Sequence, residues 1–408
     1  MARNKRLDSA VGTTLPGRFR RLLVVGAALA VVAVGVYAYR PLRSAQLRGM
    51  GDGELNRRLK ANPKEDDAAV LLAERRLGAG DFAGAEEVVQ RSLNAGAGEP
   101  RLWLLKSRAE LGRGLPAQSY ASLRVAMPYL QQDPEAHWRL GLLLERRGDE
   151  AGAEAEFQAA LRVRPEYPEA NLELARSALA HRHYAPARAH LETVLRVSPR
   201  GALAGVALEL LSQTYVNLGE LATAVARARE AVAIDATSAG SHLALARALH
   251  AQATPASLTE ALVAYRKALE LEPENSDTHY QIGRILFSER RFPDAERSLR
   301  DALRLQPLNR QAYPLLLQCV LRRGDASEAA RVKAEYARVE EMDLSTAPLE
   351  YAIYAMPDNT ALRLKLARLY VRYKRPDLAI SQVERILELN PVHGEAIRLR
   401  HELGGKSR

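Results

Sequence analysis

Nine histidines and one cysteine are the residues with the widest chemical reach in this chain, as acid–base groups, nucleophiles or metal ligands. Their spacing decides how much of that reach is used. His181, His183 and His190 cluster in sequence, the first two at a turn and the third on the helix that follows. No nearby carboxylate or thiol completes a set of four ligands, so the cluster does not read as a zinc site. His137, His242 and His279 share one register near the start of three helical segments and read as packing residues. Cys319 lies in the apolar run Leu315–Leu321 and reads as a packed thiol. A single cysteine excludes intramolecular disulfides and cysteine-based zinc or iron–sulfur sites. There is no G-x-x-x-x-G-K-[ST] phosphate loop, no G-x-S-x-G elbow and no H-E-x-x-H pair. The carboxylates fall on helix faces beside arginines, as in Glu145–Arg146–Arg147 and Glu289–Arg290–Arg291, the pattern of solvated ion pairs. The expectation is a protein with no catalytic residue, no metal and no cofactor.

The elements that position these residues are helical. Of 408 residues 47% are apolar and only 5% aromatic, with Ala, Leu and Arg prominent, a mixture that favours helix over strand. That apolar share excludes wholesale disorder. The net charge of +10 is unevenly placed: residues 1–60 hold 12 Lys/Arg against 3 Asp/Glu, and the rest of the chain is nearly neutral. The body therefore lacks the general basicity of a nucleic-acid binder.

The segment Leu22–Tyr39, LLVVGAALAVVAVGVYAY, carries no charge over 18 residues. As a helix it would reach roughly 27 Å, close to a hydrocarbon core of about 30 Å. Arg18, Arg20 and Arg21 flank one end, Arg40 and Arg43 the other, and Tyr37 and Tyr39 stand where interfacial aromatics belong. The reading is a retained single-pass anchor. Its rivals are a cleaved signal peptide, for which the run is long and lacks an A-x-A-like site, and a buried soluble helix. Arg20–Arg21 also matches the core of a twin-arginine signal, in poorly matching surroundings. Six Lys/Arg on each side leave the charge rule nearly silent. Short N-terminal tails usually stay in the cytoplasm, which places the body outside it. Gly26, Ala30 and Ala33 offer small residues for helix packing in the bilayer and leave the oligomeric state open.

Self-comparison organises the rest. Pro134–Pro165 and Pro168–Pro199 align without a gap at an offset of 34, and Ser276–Pro307 is a third copy. Pro165, Pro199, Pro273, Pro307 and Pro391 close five units. Each unit holds two stretches of helical periodicity around a turn such as Arg147-Gly148-Asp149, Leu218-Gly219-Glu220 or Arg323-Gly324-Asp325. Small residues recur where helices must approach: Gly141, Ala175, Ser212, Ala246 and Gly283 in the first helices, and Ala153, Ala187, Ala224, Ala261, Ala295, Ala329 and Ala379 in the second. Ala160, Ala231, Ala268 and Ala302 follow one turn-pair later. Leu140, Leu174, Leu211, Leu245, Ile282, Leu316 and Leu366 supply the large apolar partners.

This pattern resembles the tetratricopeptide repeat (TPR) superfamily over about residues 66–393, through Leu140-Gly141, Ala153, Phe157, Ala160 and Pro165 and their counterparts. The match is weaker over 100–133, where Trp103 and Gly114 fit, and two units need about three extra residues at 200–205 and 253–258. After Ala329 the pattern fades, and 344–359 reads as either an irregular helix or a divergent unit. The implied fold is all-α, a right-handed α-solenoid of stacked helix pairs preceded by a single transmembrane helix. Its layout is a basic tail over 1–21, the transmembrane helix at 22–39, a tether at 40–53, the solenoid with end caps at 54–403 and a tail at 404–408. The caps are a lone helix at Glu54–Asn62 and a last helix at Glu395–Leu403.

The resemblance implies that the first helices line a concave face that binds extended peptides. On that register Arg176, Arg247, Arg284 and Arg368 form one column, with Gln213 and Gln318 between them. Trp138, Tyr280, Phe287 and Lys365 complete the implied groove. Such a groove suits an acidic or C-terminal peptide, or an anionic polysaccharide. The Lys/Asn carboxylate clamp of chaperone-binding relatives is not reproduced; of the comparable positions only Asn217 is Asn. The expected function is a membrane-anchored scaffold that organises protein partners in a bacterial envelope assembly or export system, its body on the extracytoplasmic face of the inner membrane. The alternatives are an anionic polysaccharide-binding component of an exopolysaccharide export complex and a cytoplasm-facing adaptor.

Overall fold

The computed structural model describes residues 46–404. The basic tail 1–21, the apolar run 22–39 and residues 405–408 lie outside the described residues, as does the tether as far as residue 45. Among the described residues no helix is long and apolar enough to cross a membrane, and no strand occurs.

The chain divides into two compact units. In the first, Met1–Arg182, α1 (Asp52–Ala61) precedes the pairs α2 (Asp66–Gly78) and α3 (Phe82–Asn94), α4 (Arg101–Gly112) and α5 (Pro116–Ala126), and α6 (Pro134–Arg146) and α7 (Glu150–Val163), and α8 (Pro168–Ala180) ends it. In the second, His183–Arg408, α9 (Tyr184–Val197) comes first. It is followed by α10 (Ala202–Asn217) with α11 (Leu221–Ile234), α12 (Ala239–Gln252) with α13 (Pro255–Leu271), and α14 (Ser276–Ser288) with α15 (Phe292–Leu305). Then come α16 (Ala312–Arg323) with α17 (Ala326–Ala355), α18 (Thr360–Arg372) with α19 (Pro376–Leu389), and α20 (Gly394–Gly404). Within each unit successive helices pack on one another.

Local sequence sets the boundaries. Aspartate or asparagine side chains cap many first turns: Asp149 accepts from the Gly152 amide at 2.9 Å, Asn275 from Thr278 at 3.0 Å and Asn359 from Leu362 at 3.1 Å. The five closing prolines each stand two residues past the end of a second helix, where no helix can continue. The tight turn repeats as a left-handed residue: Gly80, Gly114 and Gly148, then Gly219 and Gly324, with Arg182, Ala253, Arg290 and Lys374 taking the same positive φ at their own turns. The two inserted stretches are absorbed differently. Gly201, at φ 85°, starts α10, which runs 16 residues. Left-handed Ala253 precedes α13, which runs 17 residues from a Thr254–Ser257 capping box.

Inside the pairs, small residues meet large ones. A Cβ at Gly283 would lie 2.8 Å from Leu299, and one at Gly141 would overlap the Phe157 ring. Every alanine of the second-helix columns is buried, and the large-residue column is buried except for Leu245, which is partly exposed. The poorly matching region 100–133 is also a helix pair. Its Ser107 and Ser119 stand 34 residues before Gly141 and Ala153. The two hydroxyls bond at 2.8 Å, and Ser119 also donates to the Ser107 carbonyl at 2.8 Å, so both buried polar atoms are satisfied.

Of the two readings for 344–359, the helical one holds as far as Ala355: α17 runs 30 residues, through Pro348. The carbonyl that Pro348 leaves unpaired belongs to Leu344, which is 76% exposed, so water can take the place of the lost amide. The histidine column bonds as well as packs. His137, His242 and His279 donate through Nε2 to the carbonyl six residues earlier, at 3.1, 3.0 and 3.2 Å. Asn171, Tyr313 and Arg363 do the same at 3.0, 2.9 and 2.9 Å. Each tethers the turn before a first helix to that helix. His137 also donates through Nδ1 to Glu156 at 2.7 Å, and this bond leads the effects that raise its pKa above the ordinary histidine value.

Candidate functional site

The column read from the repeat register lies on exposed helix faces in the second unit. Gln213 (α10), Arg247 (α12), Arg284 (α14), Gln318 (α16) and Lys365 and Arg368 (α18) are all exposed. Arg176 (α8) is exposed in the first unit. The guanidiniums are not bare cations. Arg247 Nη2 donates to Asp277 at 2.9 Å and Arg368 Nη2 to Glu395 at 2.8 Å. Arg176 stands 3.8 Å from Glu173, and Arg284 donates to the side-chain oxygen Oε1 of Gln281 at 2.9 Å. Lys365 makes no ion pair among the described residues. Exposed pairs of this kind contribute little to stability, but they cancel most of the charge that a polyanion would meet.

The aromatic members divide. Tyr280 is 7% exposed and belongs to the interior, under the Arg284 guanidinium, whose carbon lies 5.7 Å from the ring centroid. Phe287 packs edge-on against Phe292 at 5.5 Å, across the α14–α15 turn rather than onto a neighbouring first helix. Trp138 is half-buried, edge-on to Tyr167 at 6.3 Å, and its indole N–H is buried without a hydrogen-bond partner.

What the structure brings together is a cleft of about 390 Å³ between α10 and α12. Gln213 and Arg247 line it, with Leu210, Val216, Leu243 and Ala244 as apolar wall. Glu209 enters one turn before Gln213. Its Oε1 accepts from Ser241 at 2.7 Å and from Ser238 at 3.1 Å, so the start of α12 fixes the carboxylate. Gly240 permits this approach: a Cβ there would lie 2.8 Å from Glu209 Oε2. Ser212, also in the lining, is 1% exposed, and its hydroxyl has no partner. A buried unpaired hydroxyl costs roughly 1–3 kcal/mol unless something bonds to it. The cleft therefore offers one carboxylate, one guanidinium and one amide along an apolar wall, with the Ser212 hydroxyl buried beneath it. Sequence reasoning placed Ser212 only as a small packing residue and missed Glu209 and Gly240. The signal available was Glu209 at one turn from Gln213, beside the Ser238-x-x-Ser241 helix start.

A second cavity, of about 480 Å³, lies between α15 and α16. Glu296, 8% exposed, holds two of its arginines there, Arg300 at 2.9 Å and Arg323 at 3.2 Å. Burial, with Glu296 nearby, pushes the Cys319 thiol up to about 11, so it stays protonated at neutral pH. Among the described residues no group of three or more His, Cys, Asp or Glu could hold a metal ion.

The profile of the tetratricopeptide repeat matches residues 121–171, 172–239 and 280–339. Several solved structures are similar at low identity. YrrB, a TPR protein with an unusual peptide-binding site, is 19% identical and covers 47% of this chain and 95% of its own, with a TM-score of 0.38. The C-terminal part of a TPR repeat-containing protein from Cytophaga hutchinsonii is 16% identical over 60% of this chain and 99% of its own, with a TM-score of 0.43. A tetratricopeptide repeat protein from Parabacteroides merdae is 13% identical over 62% and 97%, with a TM-score of 0.44. No curated protein matches the sequence significantly. Over the three matched stretches the paired helices, with their Gly/Ala columns, follow the tetratricopeptide repeat pattern.

Proposed function

We propose that this protein is a membrane-anchored repeat scaffold that binds an extended segment of a protein partner in the cleft between α10 and α12. Proteins built from such repeats bind protein or peptide partners. The observation that carries the reading is the cleft itself: a fixed Glu209 carboxylate, Gln213 and Arg247 spaced along an apolar wall. A peptide backbone supplies alternating donors and acceptors, which is what this mixture of groups can bond. The Arg247–Asp277 pair at the rim is exposed and can open toward a partner carboxylate at little cost. The polysaccharide alternative is left without support by the arginine column, whose guanidiniums at Arg176, Arg247 and Arg368 each face a carboxylate.

The test is selection of random peptides of about 12 residues on the full-length protein, followed by affinity measurement of the enriched sequences. Ala244→Leu, which fills the cleft, should weaken them at least tenfold, about 1.4 kcal/mol. Selected peptides that bind the filled variant equally well would contradict the reading.

Anchoring rests on the uncharged run Leu22–Tyr39 and its arginine flanks. On this proposal the body lies on the extracytoplasmic face of a bacterial inner membrane and serves envelope assembly or export. Protease treatment of intact and permeabilised cells, followed with an antibody to the C-terminal tail, checks it. Cleavage once the outer barrier is opened supports it. Protection until the inner membrane is broken would make the protein a cytoplasm-facing adaptor instead.

A further inference from the structure

The second half of α17 is apolar on two opposite faces. Met342, Thr346 and Ile353 are buried, and Leu349 packs with Met342 and Ile353 against the core of the C-terminal repeats. Leu344, Ala347, Tyr351 and Tyr354 follow at the i, i+3, i+7, i+10 spacing of a single helical stripe. They point the other way: Leu344 is 76%, Tyr351 77% and Tyr354 86% exposed. A helix apolar on both sides is the kind found between two packing partners, and among the described residues this one has a partner on one side only. The regular second helices in the second unit do not share this feature. The outer face of α15, for instance, carries Arg297, Arg300 and Arg304.

The border of the stripe says what covers it. Residues 339–362 contain Glu340, Glu341, Asp343, Glu350 and Asp358 and no lysine or arginine, in a chain with 59 of them. Arg310 reaches Asp343 and stands 4.0 Å from Glu340, and Arg385 stands 3.8 Å from Asp358. Glu341 and Glu350 accept only tyrosine hydroxyls, from Tyr373 at 3.3 Å and Tyr370 at 2.7 Å. The border is thus net acidic. A second copy would set acid against acid across the stripe, and an anionic bilayer would be repelled in the same way. Arginines from outside would find tyrosine faces as well as carboxylates. The chain already uses that contact internally, with Arg147 4.5 Å from the Tyr120 centroid and Arg164 4.3 Å from that of Tyr167.

We infer that the exposed stripe of α17 docks an amphipathic helix of a partner protein whose apolar face is bordered by lysine and arginine. This surface lies apart from the α10–α12 cleft and does not depend on a peptide binding there.

The test uses the full-length protein and two fluorescent synthetic helices of about five turns. Both carry leucine at the i, i+3, i+7, i+10 positions; one has Lys/Arg borders and the other Glu borders. Fluorescence anisotropy at about 0.15 M salt should show the basic helix binding at least tenfold more tightly. Tyr351→Ser with Tyr354→Ser should remove at least tenfold of that affinity, and Glu340→Lys with Glu341→Lys a smaller part. These side chains are exposed or at the rim, so unchanged circular dichroism should confirm that the variants fold. Equal binding of the two helices, or binding indifferent to the tyrosine pair, would overturn the inference. So would a tyrosine-dependent dimer in sedimentation or tyrosine-dependent binding to phosphatidylcholine–phosphatidylglycerol vesicles, since either would give the stripe a different occupant.

Discussion

Small residues do opposite things in two parts of the second unit. Within the α14–α15 pair, Gly283 is filled by Leu299, with no room left for a Cβ. Between the first helices α10 and α12, Ala244 faces a cleft that no side chain fills, and Gly240 at its edge gives room to the Glu209 carboxylate. In one place the small residue lets two helices of a single repeat interlock. In the other, small residues of α12 leave space against the preceding repeat, with polar groups at its edges. The difference teaches that a repeat pattern carries two kinds of information: its internal columns specify packing, and the contact between repeats carries whatever is specific to the individual protein.

The comparison can be broken from the packing side first. Leu299→Ala should destabilise the second unit by about 2–5 kcal/mol, because the wedge is buried and the cavity beside Gly283 cannot collapse. Chemical denaturation measures it, and a loss below about 0.5 kcal/mol would mean that the pair interior is not close-packed. Ser107→Ala should cost up to about 1 kcal/mol, since one buried hydroxyl bond is lost while Ser119 keeps its bond to the Ser107 carbonyl. Ala244→Leu should stay within about 0.5 kcal/mol of the parent, because the new side chain enters open space. A large destabilisation there would show that the cleft is part of the core.

The smallest expected effect is a pH dependence at His137. The Glu156 hydrogen bond raises its folded pKa above the unfolded value, so the stabilisation is fully present below the ordinary histidine pKa. It is lost as pH rises through the raised folded value. The loss of melting temperature caused by His137→Gln should therefore be larger at about pH 6 than at about pH 8. A difference that grows with pH would contradict the assignment.

The internal packing was legible because it recurs. Gly141, Ala153 and Phe157 could be matched to Gly283, Ala295 and Leu299 by offset alone, and those contacts join residues about half a repeat apart. The Ser107–Ser119 pair was harder to see, since serine there breaks the residue pattern while keeping the close approach. The histidine column was legible as a position but not as a role. Nothing in residue type distinguishes a ring that packs from one that bonds a turn carbonyl six residues back. Glu209 was not legible as a site residue because the serines that fix it lie 29 and 32 residues later, in the next repeat. The 344–359 segment stayed open between two readings because the repeat pattern fades there and a proline normally signals a break. Here the freed carbonyl is exposed, and the helix continues.

The central claim is that the cleft between α10 and α12 holds a peptide. Hydrogen–deuterium exchange of the full-length protein, with and without a peptide selected on it, tests this most directly. The account predicts added protection concentrated in 202–217 and 239–252, and its loss in the Ala244→Leu variant. Protection that falls elsewhere in the second unit and leaves those two helices unchanged would contradict it.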